Sequence, residues 1–109
     1  MSAGKGFEAL KALHEKARLL SEGGTSAVLL PGFRFRSRQK DRQMDLLLYP
    51  AAHSGYATRL FFSEKLAECS GNWNRFRVAD REWWAISWKD VPANLPWPAM
   101  LCAHLRAVA

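Results

Sequence analysis

Nothing in this chain approaches the roughly 20 consecutive apolar residues that a membrane-spanning helix needs, and the opening residues, MSAGKGFEAL, hold no hydrophobic stretch of the secretion-signal kind. The expectation is a cytoplasmic protein with no membrane partner. Cysteine is scarce. Cys69 and Cys102 stand 33 positions apart without metal-ligand spacing around either, and His14, His53 and His104 are equally scattered. Neither a structural zinc site nor a disulfide is expected in a reducing compartment. Acidic residues are outnumbered, ten against sixteen Lys and Arg, which gives a net charge of +6 and a pI near 9.8. That balance favours acidic partners, whether nucleic acid, an anionic membrane or an acidic protein face, and charge alone does not choose among them. No Gly-rich phosphate loop, paired-carboxylate arrangement, Ser-His-Asp pattern, internal repeat or low-complexity segment is present, and no cofactor is expected.

What is present suits one globular domain. The chain has 109 residues, 49% of them apolar and 24% charged, enough for a single core and too few for two. Phe7, Leu10, Leu13, Ala17 and Leu20 recur at three- and four-residue spacing, which predicts a helix over 6–22 that Gly23-Gly24 ends. Residues 27–38 begin apolar and then alternate, with Phe33 and Phe35 on one face and Arg34, Arg36 and Arg38 on the other, as a half-buried strand does. The stretch SRQKDRQ carries the turn. The run MDLLLY, Met44 to Tyr49, suits a central strand covered on both faces, and Pro50 stops it. Arg59 to Phe62 makes a further strand, so that an antiparallel meander of three to four strands is expected. A polar loop follows, and Pro98 opens a closing helix whose stripe is Leu101, Leu105 and Val108, with Cys102 beside it. The fold class read from this order is α+β.

The densest stretch is Asn72 to Trp88, with four of the five tryptophans among Arg75, Arg77, Asp80, Arg81 and Glu82. It reads as a Trp-rich loop segment, with Trp83 to Trp88 either a short strand or an irregular packed stretch. Such aromatics build a core, or else a platform on which bases stack. Cys102, within an apolar helix, reads as a small buried hydrophobe. Cys69 lies in the polar stretch SEKLAECSG, where a thiol can be exposed and Arg75 or Arg77 could favour the thiolate; a lone loop cysteine without an evident base reads equally as inert. His53 and Tyr56 offer an acid, a base or only a turn. The arginine stripe at 34, 36 and 38 is either a solvated face or a docking surface for an acidic partner or phosphates.

Short pieces in a fixed order carry a resemblance. LLPGF (29–33), DLLLYP (45–50), Gly55-Tyr56, LFF (60–62), the W-x-R-F of Trp73 to Phe76, a tryptophan at 83 or 84 and the tail HLRAV together resemble the ubiquitin-conjugating-enzyme (UBC) superfamily. The resemblance covers roughly residues 26–109 and is nearest to bacterial members encoded beside ubiquitin-like proteins and ThiF-type activating enzymes. It implies a UBC-like fold, a ubiquitin-like modifier and a ThiF-type activating enzyme as partners, and transfer of the modifier through an ester or thioester. Such chemistry needs a nucleophile and donors for a tetrahedral oxyanion. On this reading Cys69 is the acceptor, Asn72 or Asn74 the oxyanion donor, and Arg75 or Arg77 holds the region of the modifier's terminal carboxylate. The bacterial relatives carry a Ser-Arg-His triplet after their W-x-R-W element. Arg77, Val78 and Ala79 stand there instead, so a non-catalytic adaptor docking through Arg34, Arg36, Arg38 and exposed tryptophans is the other reading. A third is a small basic nucleic-acid module in which the stripe binds phosphates and Trp73 or Trp88 stacks bases.

Overall fold

Three two-residue turns organise the chain, as seen in the computed structural model, which describes residues 3–109; Met1 and Ser2, where the secretion-signal reading begins, lie outside it. Both central residues have positive φ at Gly23-Gly24 (56° and 84°), Arg38-Gln39 (54° and 64°) and Ala79-Asp80 (51° and 60°). That conformation matches the right-handed twist of paired strands and makes the tightest hairpins. The turns join β1 (Arg18–Glu22) to β2 (Thr25–Ser37), β2 to β3 (Lys40–Tyr49), and β5 (Trp73–Val78) to β6 (Arg81–Ile86), with β4 (Arg59–Phe62) between the two groups. All pair antiparallel in one six-stranded sheet of order β1-β2-β3-β4-β6-β5. Helix α1 (Ala3–Leu13) precedes the sheet, and α2 (Trp97–Leu105) with a 3-10 turn, Arg106–Val108, follows it.

The α+β class holds, with corrections to its parts. The helix expected over 6–22 stops at Leu13, and residues 18–22 form a strand. Gly23-Gly24 is therefore a hairpin turn and not a helix cap. The segment expected as a Trp-rich loop is the β5–β6 hairpin, which together with β1 makes the sheet six-stranded where three or four strands were expected. No described helix is long and apolar enough to cross a membrane.

The sheet is buried on both faces. On one, Val28, Leu30, Leu46, Leu48, Leu60 and Phe62 pack with Leu10 of α1 and Trp97, Met100 and Leu101 of α2. On the other, Ala27, Leu47, Tyr49, Phe61, Trp83 and Ala85 form a second cluster, and the sheet rolls around it. A Glu22 carboxylate oxygen accepts the Ala79 N–H at 2.7 Å and so ties the β1–β2 turn to the β5–β6 turn. Within β2 one extra residue intervenes between the Leu30–Leu46 and Phe33–Met44 pairs. This bulge, at Pro31-Gly32, is held by Asp45, whose carboxylate accepts the Gly32 N–H at 2.8 Å, while Gly32 itself takes a φ of 56°.

The two helices meet where Gly6 of α1 faces the Trp97 ring, and a Cβ built on Gly6 would overlap that ring. Gly6→Ala is therefore expected to force the helices apart and to cost about 1–3 kcal/mol, read as a lowered urea midpoint at unchanged m-value. A midpoint equal to that of the parent protein would show that α1 does not seat on Trp97.

Candidate functional site

The arginine stripe follows from the β2–β3 hairpin. Beyond the bulge, Phe33 and Phe35 turn toward the helices while Arg34 and Arg36 project to the opposite face, and Arg38 sits at the turn; all three arginines are exposed. Arg36 is engaged, donating to the Asp41 carboxylate at 3.2 Å and to the Gln39 carbonyl at 3.1 Å. Among the described residues no carboxylate pairs with Arg34 or Arg38, so both keep an unneutralised positive charge. On the helical side Phe33 lines a groove of about 740 Å³ with Leu13, Leu101 and Leu105. Leu13 is 73% exposed there, a large apolar side chain at the groove's mouth.

The structure places Cys69 away from solvent, against the expectation of an exposed thiol; it is 5% accessible. Leu66 and Cys69, three residues apart, both turn into the core, and the Cys69 N–H reaches the Leu66 carbonyl at 3.0 Å. The Ser37 hydroxyl donates to the Val108 carbonyl and lies 3.4 Å from the Cys69 sulfur, which itself lies 3.7 Å from that carbonyl. Thus the C-terminal turn closes over the thiol. Arg42 and Lys40 are both held by Glu68. That pair of cations keeps the Glu68 carboxyl at about 2. Cys102 reverses in the other direction. The buried side of α2 runs through Trp97, Met100, Leu101 and His104, which leaves Cys102 exposed.

Asn72 and Asn74 are exposed, and no hydrogen bond among the described residues links either side chain to Cys69; Asn72 offers its carbonyl to the Ser87 N–H at 2.9 Å. Arg75 and Arg77 project from β5. Arg75 lies over Trp84 at 5.8 Å, as Lys65 does at 5.6 Å, so that one indole carries two cations. Trp73 is a brace: its indole packs edge-on against Phe62 and donates to the Cys69 carbonyl at 3.0 Å. Trp88 is the accessible one, 38% exposed, with its N–H held by the Ala103 carbonyl at 3.1 Å. A large ring fixed in this way offers a face to a partner at little entropic cost.

Two buried polar groups carried no sequence signal. His104, 4% exposed, bonds through Nε2 to the Thr58 hydroxyl at 2.8 Å, and that hydroxyl donates to the Val91 carbonyl at 2.7 Å. Since Thr58 spends its proton on Val91, Nε2 carries a hydrogen and donates it to the Thr58 hydroxyl. Burial first, and the charge of Arg59 second, push the His104 pKa down to about 4. Arg59, also 4% exposed, lies between the rings of Tyr56 (4.4 Å) and Phe76 (4.7 Å) with one guanidinium nitrogen unpartnered. Burial lowers its pKa too. His53, expected as an acid, base or turn residue, packs its ring against Tyr49, Phe61 and Phe76 and so helps to cover the second cluster.

The arrangement is equipped for non-covalent recognition: a basic strand beside an apolar groove, with a fixed indole exposed on another side. No family model, curated protein or solved structure matches this chain.

Two outcomes test this description. A thiol reagent added to the native protein should modify Cys102 within minutes and Cys69 only after denaturation; equal rates at both would show that the C-terminal turn does not cover Cys69. The unfolded chain binds a proton on His104 near pH 6.5, the folded chain only near 4, so stability should fall as pH drops from 6.5 to 4. The loss is on the order of 3 kcal/mol. It should flatten in His104→Gln, and an unchanged slope in that variant would assign the pH dependence elsewhere.

Proposed function

We propose that this chain is a UBC-like component of a bacterial ubiquitin-like conjugation pathway, one that docks the modifier or its ThiF-type activating enzyme and does not carry the modifier covalently. The observation that carries the second half is the burial of Cys69. The C-terminal turn covers the thiol, and Arg77, Val78 and Ala79, where the resemblance puts a nucleophile, offer none. Loading Cys69 would require residues 106–108 to leave the core, which exposes Val108 and strands the Ser37 hydroxyl. Support for the first half comes from the order of elements: a helix, the meander β1 to β4, Tyr49-Pro50 closing β3, and a helix at the end.

Docking on this reading uses Arg34, Arg36 and Arg38, which suit an acidic protein face. The nucleic-acid reading keeps Trp88 as a stacking ring but loses Trp73, which is committed to Phe62 and to the Cys69 carbonyl.

Mixing the protein with modifier, activating enzyme and ATP should give no reducible or hydroxylamine-labile adduct. It should give reversible binding that Arg34→Glu with Arg38→Glu weakens by about tenfold or more. An adduct that disappears in Cys69→Ala would overturn the docking role. Failure to bind either protein, with salt-sensitive binding to an oligonucleotide, would move the chain to the nucleic-acid class.

A further inference from the structure

We infer that the free half of β2 is a peptide-binding edge, which takes up an extended segment of a partner protein in which apolar residues alternate with Asp or Glu. The inference rests on the basic stripe being a protein-docking surface, as proposed above, and it names the chemistry of what docks there.

The backbone comes first. Because Arg38-Gln39 is a two-residue turn, Ser37 and Lys40 exchange both of their hydrogen bonds, and bonded pairs recur at Phe35–Arg42 and Phe33–Met44. The N–H and C=O groups of Arg34 and Arg36 therefore point away from β3. On that same side, Ala27 and Leu29 meet β1, whose pairing ends at Arg18–Leu29. Before Arg18 the chain leaves the sheet toward α1, and His14 Nε2 is pinned to the Pro31 carbonyl at 2.9 Å. Beyond the bulge nothing continues β1. The β1 ladder stops at Leu29, and outside the sheet ladders no backbone hydrogen bond among the described residues reaches Arg34 or Arg36. Mid-strand peptide groups without partners form a template for an added strand.

Side chains then select the guest. A strand laid beside Phe33 to Ser37 puts alternate residues on opposite faces. One set enters the groove of about 740 Å³ against Phe33, Leu13, Leu101 and Leu105, which favours apolar residues; Glu15, Lys16 and Gln43 also line it. The other set lies beside Arg34 and Arg36, near Arg38. Arg36 is already shared with Asp41, so Arg34 and Arg38 carry the unmatched charge. Carboxylates on the guest satisfy them. A second copy of this chain, pairing through the same edge, sets arginine opposite arginine, which is destabilising. The β5 strand also has an open edge, with Arg75 and Arg77; β2 is chosen because its edge runs along the apolar groove.

The test titrates a labelled peptide of about ten residues, alternating Ile or Val with Glu, into the full chain at low salt and follows amide resonances. The Arg34 and Arg36 amides should shift and their exchange slow. N-methylation of one alternate set of peptide nitrogens should weaken binding by about tenfold or more, the other set much less, because only one set faces β2. Arg34→Glu should weaken it comparably. Three results overturn the inference: no binding, equal tolerance of both methylated sets, or shifts confined to Arg75 and Arg77. If the modifier binds in an Arg34-dependent way and the peptide does not, the edge inference fails and the docking role stands. If neither binds, both fail.

Discussion

Burial of β3 on both faces is the constraint on which the rest of this structure depends. Leu46 and Leu48 pack under the helices while Leu47 and Tyr49 pack into the rolled side of the sheet. Each such side chain contributes about 1.5–3 kcal/mol when removed from water, so one strand anchors two cores. A sheet covered by helices on one face only must curl to hide the other, and here the Glu22–Ala79 bond closes the curl. The loop after β3 completes it by laying His53 and Tyr56 against Phe61, Phe76 and Arg59.

Rolling the sheet has a consequence for recognition. β1 is spent on closing the curl and pairs only with residues 25–29 of a β2 that runs on to Ser37. The Pro31-Gly32 bulge lets β2 continue past the point where β1 begins while keeping Phe33 and Phe35 over the core. The same local geometry thus gives an exposed basic face, an apolar groove and an unpaired edge. Cys69 belongs to a different economy. Its sulfur, the Ser37 hydroxyl and the Val108 carbonyl hold the C-terminal turn onto the end of the β2–β3 hairpin, which is structural work.

Much of the sheet was legible in the sequence. Alternation marked residues 27–38, an unbroken apolar run marked Met44 to Tyr49, and RLFF marked β4. β1 was hidden because Ala17 and Leu20 keep the spacing of the preceding helix, and because Gly-Gly serves equally as a helix stop or a hairpin turn. β5 was hidden because its turn, Ala79-Asp80, takes positive φ without glycine. The two cysteines were misplaced for opposite reasons. A polar neighbourhood says nothing of a single inward turn at Leu66 and Cys69, and a histidine at a core position of α2 shifted the apparent stripe toward Cys102. Arg34, Arg36 and Arg38 stood out from charge alone, whereas the free edge behind them depends on where β1 ends, which no local pattern records.

Amide exchange along β2 in the free protein tests the account most directly. If β1 stops at Leu29 and nothing else pairs with the strand, the amides of Phe33, Phe35 and Ser37 are protected by β3, and those of Arg34 and Arg36, between them, exchange orders of magnitude faster. Uniform protection from Phe33 to Ser37 would mean that the edge is already covered, and would contradict the account.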